Sequence, residues 1–136
     1  FINIAHNYAA METHYHKKVF VHRKGATRAM DGEMGIIPGS QGTPSYIVKG
    51  KGNEESFSSC SHGAGRTMGR KQAQKQLDLQ YEQKRLDDQN IIHSIRSRRD
   101  LDEASSAYKD IDKVVENQLD LVEVVVELKP LAVIKG

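Results

Sequence analysis

Residues 119–129 form a run of valine and leucine broken only by charged side chains, and this run restricts what the chain can fold into. β-Branched side chains favour extended backbone, because they pack well on a pleated surface. Shorter runs of similar character lie at residues 19–24, 36–37, 46–48, 91–95 and 131–134. Several of these runs adjoin glycine or proline, which end strands. The sequence therefore predicts a core made largely of strands.

Residues 1–16 are predicted to be helical from the spacing of their apolar side chains. Three further segments are also predicted to be helical: about 66–76, 100–106 and 110–118. Asp110 or Asp112 is placed to cap the last of these helices. Residues 77–90 alternate charges and amides, which predicts an exposed helix or hairpin. Together the elements predict an α+β fold, in which mixed or antiparallel sheets form the core and helices flank them.

Size and composition are those of one ordinary domain. The chain has 136 residues, of which 38% are hydrophobic and 28% charged, and this balance disfavours a disordered or membrane-embedded protein. Cys60 is the single cysteine, so no internal disulfide can form and a cytoplasmic location is expected. The opening at Phe1, without an initiator methionine, is expected of a piece of a longer polypeptide.

Charge is distributed unevenly along the chain. Residues 1–76 carry 11 lysines and arginines against 5 acids, whereas residues 77–136 carry 9 against 13. The basic half also contains most of the glycines and histidines, so an anionic ligand such as a nucleotide or an RNA backbone is expected there. A chance distribution of charge remains the alternative in a chain of this size.

Residues 56–70 pass from small hydroxylated side chains through His62 and a Gly63-Ala64-Gly65 step into a basic segment. Glycines before a helix leave backbone N–H groups free to bind a phosphate, and the positive end of the helix dipole adds to this. If the helix begins near Gly63, then His62, Arg66 and Arg70 share one face. The alternative is a surface histidine beside a solvated helical face.

Two further segments favour ligand contacts. His22, Arg23 and Lys24 arrive together where a predicted strand meets a loop, which is a common position for binding residues. Residues 38–45 are rich in hydroxyl groups and glycine, which suits phosphate or base recognition. Equally, the Pro-Gly and Thr-Pro steps in this segment simply form turns.

Several blocks of sequence, in this order, resemble the RtcB RNA-splicing ligase family. They are His6-Asn7, residues 21–27 (VHRKGAT), Ile37-Pro38-Gly39-Ser40 with Ser45-Tyr46, residues 60–66 (CSHGAGR), Ala107-Tyr108-Lys109, and residues 133–136 (VIKG). The resemblance covers the whole chain and corresponds to the C-terminal third of the family's full-length sequence. It implies an RtcB-like fold, of which residues 1–136 are one incomplete catalytic domain.

The resemblance also implies an activity: a manganese- and GTP-dependent ligase that joins RNA 2′,3′-cyclic phosphate or 3′-phosphate ends to 5′-hydroxyl ends. In that family a histidine attacks the α-phosphate of GTP and forms a histidine–GMP intermediate. By motif position the nucleophile here is His62. Substrates would be tRNA halves in splicing or cleaved RNA in repair, and archease is a possible helper protein.

The resemblance assigns further roles residue by residue. His6 matches a manganese ligand. Nucleotide contacts are expected from Asn7, Pro38, Gly39, Ser40, Gln41, Ser45, Gly63, Ala64, Gly65, Tyr108 and Lys135. Contacts to RNA or phosphate are expected from Arg66 and Arg70 and, by their position at the strand end, from Arg23 and Lys24.

The chain departs from the family pattern in two places and omits part of it. Gln41 stands where the family usually has Met, and Gly69 where it usually has Ser. The family's other metal ligands lie upstream, so an upstream segment of the same polypeptide is an expected partner and this piece alone is expected to be inactive. Two alternatives stand beside the ligase: a non-catalytic nucleotide- or RNA-binding module, and a domain whose histidine and glycines are merely structural.

Overall fold

The computed structural model describes residues 2–134 as a mixture of strands and short helices, which confirms the α+β prediction. The strands are β1 (Asn7–His14), β2 (Lys17–Lys24), β3 (Ala26–Arg28), β4 (Met34–Ile37), β5 (Ser45–Gly50), β6 (Ser59–Ser61), β7 (Ile92–His93), β8 (Val122–Leu128) and β9 (Ala132–Val133). The α-helices are α1 (Arg70–Gln76), α2 (Leu79–Asp87) and α3 (Ile111–Glu116). Short 3₁₀ helices span Glu54–Ser56, Arg98–Glu103 and Ser105–Ala107. None of the helices within residues 2–134 is long and apolar enough to cross a membrane.

The helix predicted over residues 1–16 is wrong. This segment contains β1, which pairs with β2 in an antiparallel hairpin. Tyr15 and His16 connect the strands with φ angles of 49° and 62°, as in a type I′ turn. Alternate β1 side chains are the more buried ones, so the period is two rather than 3.6. Alanine and methionine favour helix locally, but cross-strand pairing overrides that weak preference.

The main core lies between α3 and a three-stranded antiparallel sheet with the order β4-β5-β8. Ile37, Val48 and Val122 from the three strands are fully buried with Ile111 of α3. Asp110 caps α3 by accepting from the Asp112 N–H, as predicted. The sheet therefore confirms the strands predicted from residues 36–37 and 46–48, and residues 122–128 of the strand predicted over 119–129.

Two predicted elements differ in extent or kind. The valine-rich strand exists as β8, but within it only Val122 is buried, so most of this run is not in the core of the described structure. The segment 100–106, predicted to be a helix, instead lies in two 3₁₀ helices. A second apolar cluster contains Leu86 of α2 together with Ile91, Ile95, Leu101 and Ala104.

The strand β6 carries the chain to the central glycine-rich segment. It pairs with β3, so that Ser61 lies opposite Ala26. This register places His62 next to Gly25, the residue that ends the β2 region. The hairpin and the segment after β6 thereby meet at one point.

Candidate nucleotide-binding site

A cavity of about 460 Å³ lies where the β4–β5 connection meets the segment after β6. All nine residues that line it are ones that the sequence had marked: Pro38, Gly39, His62, Gly63, Ala64, Gly65, Arg66, Arg70 and Tyr108. These residues come from three separate regions of the chain. The fold therefore brings most of the predicted nucleotide contacts to one cavity.

His62 is held by a single backbone oxygen. Its Nδ1 lies 2.8 Å from the carbonyl oxygen of Gly25. A carbonyl can only accept, so Nδ1 carries the hydrogen, and in the neutral ring Nε2 keeps the free lone pair. The protein thus fixes the tautomer that a nitrogen nucleophile needs.

Gly25 also holds His6. The Gly25 N–H donates to the His6 carbonyl oxygen at 3.2 Å, and the two imidazole rings lie 5.0 Å apart between centroids. Gly25 has a φ of +75°, a conformation that other residues adopt with strain. A side chain there would also stand 3.7 Å from the His62 ring. The sequence showed Gly25 only as the end of a strand.

The donor set within residues 2–134 does not complete a manganese site. Among residues 2–134, no group of three or more histidines, cysteines and acids is close enough to hold a metal ion. His6 is exposed and provides one imidazole. Further ligands would have to come from residues outside the described part of the chain.

The helix predicted over about residues 66–76 begins only at Arg70, so the condition of a start near Gly63 is not met. His62, Arg66 and Arg70 are therefore not successive turns of one helix face. The loop N–H groups are also partly engaged, because Ala64 donates to the Pro38 carbonyl and Gly63 to the Ser61 hydroxyl. Gly65 adopts a φ of +73° and so turns the chain away from β6 toward Arg66.

Arg66 supports Tyr108. Its guanidinium lies over the Tyr108 ring, 4.9 Å from the centroid, and donates to Glu103, to the Tyr108 hydroxyl and to the carbonyl oxygens of Met68 and Asp102. The Tyr108 hydroxyl in turn donates to Glu103. Burial, and then this hydrogen bond, raises the pKa of Tyr108. With most of its donors engaged, Arg66 builds the cavity wall and has little left for a phosphate.

Arg70 is better placed for a ligand. Its side chain is 72% exposed, and its Nε donates to Glu103 at 2.7 Å. The bond at Nε anchors the guanidinium at the rim of the cavity, and the terminal nitrogens can then bind a ligand. Of the four cations predicted to bind RNA or phosphate, Arg70 has the placement that suits the role best.

The placement of Arg23 argues against its predicted contact with RNA. The residue is 2% exposed and donates to both carboxylate oxygens of Glu12, at 2.6 and 2.9 Å. Further bonds join it to Ser59 Oγ and to the Phe57 carbonyl. A larger cavity of about 580 Å³ next to this pair is mostly apolar and offers no comparable set of polar groups. Lys24, by contrast, is exposed at the end of β2.

The β4–β5 connection is shaped by its own hydroxyl groups. Ser45 Oγ accepts from the Gly39 N–H, and Thr43 Oγ1 accepts from the Ser40 N–H. A Cβ on Gly39 would overlap the Pro44 carbonyl oxygen, so only glycine fits there. The side-chain oxygen of Gln41 is buried without a hydrogen-bond partner.

The remaining expected contacts lie at the edges of the site. Asn7 is the first residue of β1 and is exposed beside His6. Lys135 lies outside the described residues. Glu12 and Glu103, which sequence reasoning missed, are the acids that organise the arginines. Neither carries a local signal, because each meets its partner only after the chain has folded.

Comparison with known proteins gives a match along the whole chain. The model of the family described as tRNA-splicing ligase RtcB matches residues 1–136. The RNA-splicing ligase RtcB of Escherichia coli K12 is 46% identical over 138 residues, which cover 99% of this chain and 32% of the relative. The tRNA-splicing ligase RtcB of Nanoarchaeum equitans is 38% identical, with coverage of 98% and 33%. The chain spans about a third of the length of these relatives.

Proposed function

Since this chain belongs to the tRNA-splicing ligase RtcB family, we propose that it forms the nucleotide-binding part of an RNA ligase in which His62 is the nucleophile. The observation that carries the proposal is the anchored imidazole: Nδ1 donates to the Gly25 carbonyl, and the ring lines a cavity that also contains a glycine-rich loop and Arg70. The proposal concerns a longer polypeptide like those of the relatives, because this chain spans only about a third of their length.

In the first step, His62 Nε2 attacks the α-phosphorus of GTP. A nitrogen–phosphorus bond forms, and the bond from that phosphorus to the bridging oxygen of pyrophosphate breaks, with the electron pair leaving on pyrophosphate. The proton on Nδ1 stays shared with the Gly25 carbonyl. Because this hydrogen bond stabilises positive charge on the ring, it assists the attack.

In the later steps, an oxygen of the RNA 3′-phosphate displaces His62 from the phosphorus, and the 5′-hydroxyl then displaces GMP to form the phosphodiester. A 2′,3′-cyclic phosphate end would first be opened to a 3′-phosphate by water. Arg70, exposed at the rim, is placed to stabilise charge on the phosphate oxygens. Tyr108, held by Arg66 and Glu103, offers a flat wall for the guanine base.

Manganese is proposed from family membership, with His6 as the one ligand that this chain would contribute. Archease as a helper rests on the family alone, as do the two alternative roles of tRNA splicing and RNA repair. The cytoplasmic location is proposed from the single cysteine.

Incubation with manganese and α-³²P-labelled GTP tests the proposal. We expect acid-labile label on the longer polypeptide, and loss of that label in His62→Ala. His16→Asn is the control, since His16 is an exposed histidine of the β1–β2 turn outside the cavity and asparagine tolerates its positive φ. This piece alone is expected to take up no label, because its metal site is incomplete.

The alternative, a non-catalytic nucleotide- or RNA-binding module, predicts a different result. GMP would bind to the cavity, but no covalent label would appear on the piece or on the longer polypeptide with any divalent metal. The observation that favours this alternative is the incomplete metal donor set within residues 2–134.

A further inference from the structure

The helix α1, with the sequence RKQAQKQ, carries Arg70, Lys71 and Lys75 and no acidic residue. All three cations are exposed, while Ala73 is the residue that α1 buries. The other two α-helices neutralise their lysines locally, through Lys84–Asp88 at 2.8 Å and Lys113–Glu116 at 3.2 Å. The positive charge of α1 therefore has no counterion on the same helix.

A second basic segment lies beside α1. Arg98 Nη1 donates to the Lys75 carbonyl at 3.4 Å, and Gln74 Nε2 donates to the Arg99 carbonyl at 2.9 Å. At the opposite end of α1, Arg70 binds Glu103, the last residue of the 3₁₀ helix that contains Arg98 and Arg99. The two helices therefore run side by side in opposite directions, and their exposed cations lie on neighbouring helices together with Asp100, Asp102 and Glu103 of the 3₁₀ helix.

We call this surface the basic face and define it as Arg70, Lys71, Lys75, Arg98 and Arg99. Its length follows from the helix, because seven residues of α-helix extend about 9 Å. A face of this length can contact more than one phosphate of a single strand. Arg70 belongs both to this face and to the rim of the His62 cavity.

We propose that the basic face binds the sugar–phosphate backbone of the RNA strand whose terminal phosphate enters the His62 cavity. The inference rests on the proposed function and adds to it the surface along which the strand runs. Lysine and arginine side chains on an exposed face contact phosphates without reading sequence. Binding along the face therefore does not depend on the base sequence of the RNA, which suits an enzyme that recognises RNA ends.

The composition of the face favours RNA over other anionic partners. Gln72 and Gln76 are exposed among the cations and can bond to phosphate or ribose hydroxyl groups. A membrane-surface helix needs exposed apolar side chains beside its cations, and α1 presents none. An acidic protein segment remains as an outcome of the test.

The test compares two variants that change the net charge by the same amount. Lys71→Glu with Lys75→Glu alters the basic face, whereas Lys17→Glu with Lys18→Glu alters exposed cations of the β2 strand. Binding of a fluorescent single-stranded RNA with a 3′-phosphate is measured by anisotropy at several salt concentrations. We expect at least tenfold weaker binding for the first variant, with the slope of log K against log salt reduced by about 0.7 for each lost contact.

Equal weakening in both variants, or no weakening in the first, would overturn the proposal. Tighter binding of polyglutamate than of RNA to the unaltered protein would also overturn it, in favour of an acidic protein partner. Lys71→Gln with Lys75→Gln should reproduce part of the loss, because it removes charge while keeping good helix formers. Circular dichroism checks that each variant is folded.

Guanylylation of His62, measured without RNA, separates the two proposals. Loss of label in His62→Ala with intact RNA binding supports the nucleophile. Weak RNA binding with intact label in Lys71→Glu with Lys75→Glu supports the basic face. Failure of guanylylation in every form would overturn the ligase while leaving RNA binding by the basic face separately measurable.

Discussion

Two arginine–glutamate clusters of this protein, one around Glu12 and one around Glu103, differ in burial. In the first, the side chains of Arg23 and Glu12 are 1% and 6% exposed. In the second, Glu103 receives Arg66 and Arg70, whose side chains are 25% and 72% exposed. The first cluster lies between the hairpin and the segment before β6, and the second beside Tyr108. The same pair of residue types therefore occurs in two environments.

The comparison shows how environment decides what an ion pair can do. Arg23 bridges Glu12 to Ser59 Oγ and to the Phe57 carbonyl, and so joins the hairpin to the strand that leads to His62. A buried pair of this kind holds the two segments together. Removal of either partner destabilises the fold, because it leaves an uncompensated buried charge. Arg70 keeps most of its surface in water and can exchange solvent for a ligand.

Breaking the buried pair should have the largest effect. Arg23→Met leaves the Glu12 carboxylate buried without its main partner, so we expect the free energy of unfolding to fall by about 3 to 5 kcal/mol. Urea denaturation followed by circular dichroism measures this loss. Adding Glu12→Gln to Arg23→Met should restore part of it, because no charge is then left unpaired. A loss below about 1 kcal/mol in the single variant would contradict the structural role of Arg23.

Acid should weaken the same pair. The hydrogen bond from Arg23 lowers the pKa of Glu12 from 4.5 to about 2, in spite of an opposing contribution from burial. A lowered pKa in the folded state stabilises the protein above pH 4.5, and this stability is lost as the pH falls toward 2. The shift corresponds to about 3 kcal/mol. Unfolding free energies measured across that range should fall less steeply in Glu12→Gln than in the parent protein.

Breaking the exposed cluster should lower the free energy of unfolding less than breaking the buried pair does, and should lower nucleotide affinity more. Burial opposes ionisation of Glu103, but hydrogen bonds from Tyr108 and Arg70 give its pKa a net decrease. In Glu103→Gln we expect a loss of about 1 kcal/mol or less, because both arginines can recover water. Nucleotide affinity, measured by equilibrium dialysis with labelled GMP, should fall because Tyr108 and Arg70 lose their common anchor. A stability loss as large as that of Arg23→Met would contradict this comparison.

The smallest effect is expected for a solvated pair far from both clusters. Lys84 and Asp88 are exposed neighbours one turn apart at the end of α2. Replacing Lys84 with alanine should change the unfolding free energy by no more than about 0.5 kcal/mol. The same urea titration measures it, and a loss above about 1 kcal/mol would mean that exposure is a poor guide to the energy of ion pairs in this protein.

A structural element could be predicted from the sequence where its signal lies in neighbouring residues. The strands predicted at residues 19–24 and 119–129 exist as β2 (Lys17–Lys24) and β8 (Val122–Leu128), since β-branched runs carry their preference in adjacent residues. The Asp110 cap was likewise readable from its own neighbours. The hairpin strand β1 was missed because its alanine and methionine are helix formers and its pairing partner lies beyond the turn. The start of α1 was placed four residues early, because Gly69 is an N-cap without a side-chain bond.

The sequence by itself determined the family and the set of residues around the cavity, because ordered motif blocks such as residues 60–66 identify both. Only the tertiary structure decided that the Gly25 carbonyl fixes the His62 tautomer, and that Arg23 and Arg66 serve other side chains while Arg70 remains open to a ligand. The physical reason is that an ion pair or a tautomer is set by the groups that surround it in three dimensions. Gly25 lies 37 residues from His62, and Glu103 lies 37 residues from Arg66, so no local pattern encodes either contact.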